Sequence, residues 1–465
     1  MAKILDKNKK YRFTNDAYVA LVVAHIVLGI FVNQIAAFSK LYFIIVTVFF
    51  VYKVSTVAKH RIKNWVLFGC AYIVAAEALF RMTDGGIFYE FSKYFVILLM
   101  LLGIAADGVS SRSYPYFLYL ILLIPSIIVA SQTLGANFNF RTSIAFALSG
   151  PVTLGVAALY CVDKRLTFDG LMQVVTVMIF PIVAMTTHLF LYNPSVRDVL
   201  VGTASSFATS GGFGPNQVST ILGLGMFALV VRFFMKSPTM FLKVFNLILL
   251  SAVSFRALVT LSRGGVVTAV LVIMVFLMVV VMQSSHKWKV RIRSSILFLS
   301  LAVATTWLVS SYETGGILEK RYKNQDALGR DKEDISTGRA ELFADEFQGF
   351  KDNPALGVGA SGMKQSRLEE MGRIVASHNE ISRLLAEHGS LGIVILLILI
   401  FNPLIYRSSN RRNVLFYSFL AFWFATINHS AMRIAAPGFI YALALLNITY
   451  EKNPSRRKQL KREAG

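Results

Sequence analysis

The sequence predicts an all-α polytopic membrane protein with about 12–14 transmembrane helices and one large outward loop. Composition is the first reason. Hydrophobic residues make up 55% of the chain and charged residues 15%, and mean hydropathy is +0.60. A soluble protein of this length needs far more polar surface. The second reason is the spacing of the apolar runs, which recur near the length of one membrane crossing. The third is the placement of positive charge, which falls in short segments between those runs.

Windows near the ~20 residues needed to cross the hydrocarbon give about fourteen candidate spans. They are roughly 17–37, 40–58, 64–82, 93–108, 115–131, 143–161, 169–191, 217–235, 243–261, 265–283, 294–311, 389–406, 413–430 and 433–450. The fourth and sixth are short or interrupted by Gly and Pro, and twelve is the fallback number. The expected organisation is eleven helices over 1–310, an outward loop with an amphipathic helix over 311–388, C-terminal helices over 389–450, and a basic tail over 451–465. The first span follows a basic segment but is too long for a signal-peptide core, so it reads as a retained helix.

Net charge is +22, from 47 Lys+Arg against 25 Asp+Glu. No basic stripe with interleaved aromatics accompanies it, so nucleic-acid binding is not expected. The charge fixes orientation instead. With Lys3, Lys7, Lys9, Lys10 and Arg12 inside, alternate loops carry Lys59 to Lys63, Lys164-Arg165, Arg232 to Lys236, Lys287 to Arg293, Arg407 to Arg412, and the tail Arg456 to Arg462. Every strongly basic short loop then lies inside. The two cysteines, Cys70 and Cys161, lie in or beside apolar runs and predict neither a structural disulfide nor a Cys-based metal site.

Chemistry is expected in the outward segments. One is the Gly- and Ser-rich stretch from Tyr192 to Asn216. Another is the short turn Ser262-Arg263-Gly264-Gly265. Arg263 has two readings: a headgroup anchor at a span end, or a ligand for phosphate, with Gly264 and Gly265 clearing space beside it. Arg256 lies seven residues earlier on the same face, roughly 10 Å deeper at ~1.5 Å per residue. An intramembrane arginine is a functional candidate, unless Glu77 of the third span neutralises it.

The third segment, about 311–388, holds more than half of the acidic residues. Phe343, Phe347 and Phe350 recur at helical spacing and predict an amphipathic helix on the bundle or the interface. Gly357 to Gly362 reads as a flexible turn; a phosphate cradle is the weaker reading because no Lys-Ser/Thr follows. Ser377-His378-Asn379-Glu380 has the spacing of a capping box, which would put His378 in the first turn of a helix. The helix dipole would keep its imidazole neutral, as a general base requires. Simple packing at a helix start is the other reading. Arg383 and Glu387 are four apart and expected to pair. The seven histidines show no metal-ligand spacing.

In order, the outward segment ending Pro215-Asn216, Ser262-Arg263-Gly264-Gly265, Gly338-Arg339, Pro354 to Gly359, and His378-Asn379 followed, after nine intervening residues, by Gly389-Ser390-Leu391-Gly392 resemble the O-antigen ligase and polymerase superfamily. The likeness covers roughly 190–395, and the first six spans contribute only hydropathy. It implies a GT-C-like, inverting, metal-independent glycosyltransferase without cofactors, in the bacterial inner membrane with its site on the periplasmic face. The implied donor is a glycan on undecaprenyl pyrophosphate. The acceptor is a lipid A core sugar hydroxyl for a ligase, or another lipid-linked glycan for a polymerase.

Carried onto this chain, the resemblance makes His378 the base. It gives Arg263 the pyrophosphate and Arg339 the donor or the ordering of the loop. Asn216 and Asn379 belong to the same motifs. The family's ligases carry a further arginine just before the Pro-Asn pair, and Ser205 to Gly214 has none. Arg197 or Arg256 is the expected substitute, or the donor is held differently. The pattern after His378 favours ligase over polymerase. A lipid-linked glycan transporter is the alternative of another class. It predicts symmetry between halves and polar groups spread through the core, neither of which is evident. A scaffold subunit would leave the motifs unexplained.

Overall fold

The computed structural model describes residues 14–334 and 338–450. The basic N-terminal residues Lys3 to Arg12, Thr337 and the tail with Arg456 to Arg462 lie outside the described residues. Within them the chain is an all-α polytopic membrane protein. Eleven helices are long and apolar enough to cross a membrane.

Polar residues set where spans begin. Side-chain oxygens of Thr14, Asn139, Thr167 and Thr239 each accept an N–H at the start of the helix that follows, which satisfies donors left open by helix geometry. The helices then sort by depth. Lys59–Met82, Phe140–Cys161, Phe168–Tyr192 and Pro215–Met235 form the interior. Ile292–Glu313 is the extreme of the periphery, with Leu297, Leu301 and Leu308 outward. Such an exposed apolar face is a liability in water and neutral in lipid.

All fourteen predicted spans contain a helix, with three departures in form. The fifth is broken into Tyr114–Leu122 and Pro125–Thr133, because Pro125 has no N–H to continue the ladder. Lys287 to Arg293, expected as a loop, is the first part of the helix His286–Glu313. The last two spans are short helices, Phe416–Ile427 and Ala436–Ala444. Twelve residues rise only about 18 Å, less than the ~30 Å hydrocarbon thickness. These helices pack on each other and on the interior, so the turn 428–435 between them reaches into the molecule.

Past that hairpin, Asn447–Thr449 pairs in parallel with Arg165–Thr167. Asn447 donates from its side chain to Asp163 (2.8 Å). The pairing sets the end of the last helix beside Lys164-Arg165, as the predicted parity requires.

Segment 311–388 is built from Ile317–Tyr322, Arg339–Asp352, Gly362–Met371 and Glu380–His388. The amphipathic helix forms as Arg339–Asp352, but two of its three phenylalanines do not face the bundle. Phe343 and Phe347 are exposed, and Glu346 is the buried residue. Glu346 accepts from Arg367 (2.9 Å) and from Ser382 Oγ (2.5 Å). An ion pair therefore docks this helix, and its aromatic side is left outward.

Candidate active site

The site grows from four chain segments that meet at the end of the bundle the charge pattern assigns outward. Ser262 precedes the helix Arg263–Gln283 and follows Leu261, whose φ is +55°. That left-handed turn is unusual for a branched side chain. It is held by Arg321, whose Nε donates to the Leu261 carbonyl (3.0 Å). Ser262 Oγ donates to Asn216 Oδ1 (2.8 Å), and Ser219 Oγ donates to the Ser262 carbonyl (3.0 Å). Pro215-Asn216 and Ser262-Arg263 are thus one local structure.

The turn 428–435 supplies the second half. His429 Nε2 lies 3.2 Å from Thr220 Oγ1, whose hydroxyl donates to the Asn216 carbonyl. The His429 ring covers Gly264, where any Cβ would collide with it; Gly265 likewise abuts Ser219. The two glycines therefore admit protein neighbours, which corrects the expectation that they clear space for phosphate.

Across from this turn, Arg433 Nη2 donates to the carbonyls of Ala376 (3.1 Å) and Ser377 (2.5 Å). Asn379 Nδ2 donates to Asn428 Oδ1 (3.1 Å). His378 sits between these clamps. The helix cap is two residues later than the capping box predicts. Asn379 is the N-cap, its Oδ1 accepting from the N–H of Ile381 and Ser382. Ser377 instead bonds the backbone of Asn379, because an Asn carbonyl reaches the first free N–H groups directly. His378 lies just before the cap rather than inside the first turn.

The cations act on one another. The charge of Arg263 reaches Arg321 and Arg339, and Arg339 and Arg433 both act on His378. Burial first, then its arginine neighbours, lower Arg321 to about 10 and shift Arg339 downward. His378 is lowered from 6.5 to about 3, by burial and then by Arg433 and Arg339, against a smaller opposing pull from the His429 backbone. Its imidazole is neutral at physiological pH. Nδ1 is buried without a hydrogen-bond partner. Four arginines beside a neutral imidazole can bind a polyanion and accept a proton.

The structure brings Asn216, Arg263, Arg339, His378 and Asn379 into this arrangement. Arg256 stands apart as a fully buried staple. Its guanidinium donates to the carbonyls of Asn193 (3.4 Å) and Thr209 (3.2 Å) and faces Phe190. Glu77 does not neutralise it, being paired with Arg81 (2.6 Å). Arg197 is exposed beside the turn at Gly315. The Gly357 to Gly362 turn gives its Val358 and Gly359 N–H groups to the carbonyls of Ala386 and Glu387, as an ordinary loop does. Arg383 pairs with Glu387 (2.5 Å) as expected, and also with Glu380.

Sequence reasoning missed Arg321, His429 and Arg433. Asn428-His429-Ser430 and Arg433 carried a signal: they interrupt an apolar stretch, and intramembrane polar groups mark function.

Buried spans that end in a half-buried arginine cluster around a neutral histidine define a multi-pass membrane protein with a strongly cationic cluster at one end. Residues 247–397 match the family model described as O-antigen ligase, which supports placing the chain in the O-antigen ligase superfamily. Arg263, Arg321, Arg339, His378 and Asn379 fall inside the match; Asn216, His429 and Arg433 fall outside it. No curated protein matched the chain.

Proposed function

We propose that this protein is a ligase-type glycosyltransferase of the bacterial inner membrane, working on the periplasmic face. It moves a glycan from undecaprenyl pyrophosphate to a hydroxyl of a lipid A core sugar. The observation that carries this reading is His378 held neutral among Arg263, Arg321, Arg339 and Arg433, within and beside the matched family block.

In this reading the pyrophosphate lies against Arg263 and Arg339, with Arg321 adding charge. The acceptor hydroxyl gives its proton to His378 as its oxygen bonds the anomeric carbon. The bond from that carbon to the pyrophosphate oxygen breaks, and its electron pair leaves with undecaprenyl pyrophosphate. Attack opposite the leaving group inverts the anomeric centre. Charge gathers on the leaving oxygen, and forked guanidinium donors stabilise it without a metal.

A base with a pKa near 3 is weak, and the donor corrects this. Bound pyrophosphate offsets the positive charge of Arg339, which removes part of the cause of the low value. The base strengthens only when the leaving group is in place. The test is transfer by purified protein given undecaprenyl-pyrophosphate glycan and both acceptor types. Core-linked product supports a ligase; lengthened lipid-linked chains alone would make it a polymerase, and no product would reject transfer.

A further inference from the structure

Beside His378 lies a cavity, lined by several charged side chains, that the transfer chemistry does not use. Ser377, Arg433, Lys364 and Arg367 line it, together with Phe146 of the helix Phe140–Cys161. It has about 30 Å³ of space for the centre of a water molecule, room for two or three waters at roughly 10–15 Å³ each. A phosphate or carboxylate group fits such a space.

Charge accounting around it is unequal. Arg383 is bracketed by Glu380 and Glu387, which also line the cavity. Arg367 is paired with Glu346 at 2.9 Å and Asp345 at 3.8 Å. Two cations remain. Among the described residues no carboxylate oxygen lies within 4.0 Å of Lys364 or Arg433. Lys364 Nζ rests 3.5 Å from the Phe146 ring centroid. Arg433 donates only to the Ala376 and Ser377 carbonyls, and its Nε is buried without a partner. Burial lowers the Lys364 ammonium to about 8, with Glu387 opposing and Arg383 and Arg433 adding to the effect. An anion in the cavity would relieve that cost.

We propose that this cavity is an anion subsite, with Lys364 and Arg433 holding a phosphate or carboxylate substituent of the acceptor glycan. The assignment to the acceptor rests on the transferase reading above. Arg263, Arg321 and Arg339, which would hold the leaving pyrophosphate, do not line this cavity, while Ser377 connects it directly to His378. The subsite would select acceptors that carry negative charge next to the reacting hydroxyl.

The test uses purified full-length protein with inorganic pyrophosphate present to fill the arginine cluster. Glucose 6-phosphate, glucuronate and glucose are titrated as probes. At least one anionic sugar should bind tenfold or more tightly than glucose. Lys364→Gln should erase the difference and Lys364→Arg should keep it. Preference for glucose 6-phosphate or for glucuronate tells phosphate from carboxylate. Equal binding of all three, indifference to Lys364→Gln, or displacement by pyrophosphate would each overturn the subsite.

A transfer assay separates the two claims. Selective probe binding without any transfer leaves the subsite standing and removes the transferase reading. Transfer with the same KM for phosphorylated and dephosphorylated core, in wild type and Lys364→Gln alike, does the reverse.

Discussion

His378 is the residue on which the chemistry turns. His378→Ala should lower transfer by roughly 10²–10⁴-fold while leaving membrane insertion and donor binding intact, since its Nδ1 has no partner and the ring gives up only a bond to the His429 backbone. Arg263→Lys should lose activity on the order of 10², because an ammonium keeps charge but not the forked donor geometry; kcat at saturating donor checks this. The low pKa of His378 sets the pH response. The neutral form is the active one, and in the free enzyme it persists until pH falls toward 3. So kcat/KM should show no acid limb from His378 between pH 5 and 8. Bound pyrophosphate raises the pKa, so kcat should lose activity at a higher pH than kcat/KM does. Coincident acid limbs would show that the donor does not touch the arginines around His378.

Arg263 was legible because it sits in a short polar pattern beside an apolar run, His378 because it falls in a capping pattern at a helix start, and Arg339 only through the family resemblance. His429 and Arg433 were not, because a window scan hides a polar turn inside two apolar tracts. The meaning of Gly264 was also hidden: only the fold shows that His429 fills the space.

At the scale of elements, the first spans prove to be more than hydropathy. Glu77 and Arg81 of the helix Lys59–Met82 hold both sides of the turn that carries Arg433. Arg81 Nη1 donates to the Arg433 carbonyl (3.3 Å), and Glu77 Oε2 accepts the Ala435 N–H (2.8 Å). Glu90 extends the network to Lys93 (2.6 Å). Removing one member of a buried ion pair strands its partner, at about 3–5 kcal/mol. Glu77→Ala should therefore lower thermal stability and, by loosening Arg433, reduce kcat more than it changes donor KM. A melting curve with steady-state kinetics checks both. Asn379→Ala should cost about 1 kcal/mol as a lost cap and free Asn428 as well. The sequence placed a cap at this helix start but named Ser377, since the spacing rule cannot tell which of two nearby polar residues reaches the open N–H groups.

For the whole molecule, hydropathy and charge placed fourteen helical segments in the right order. They could not tell this short-helix hairpin from two full-length spans, because Phe416–Ile427 and Ala436–Ala444 are as apolar as the longer helices. What separates them is burial and the polar turn between them, which are tertiary facts. That hairpin brings the C-terminal part of the chain against the outer loop and completes a site that the matched family block alone leaves open. The most direct test is single-turnover transfer from undecaprenyl-pyrophosphate glycan to lipid A core, with EDTA present, for wild type and His378→Ala. The account predicts core-linked glycan and released undecaprenyl pyrophosphate from wild type, and a variant that binds donor but scarcely transfers it. Equal rates for the two proteins, or donor that never yields core-linked product, would contradict it.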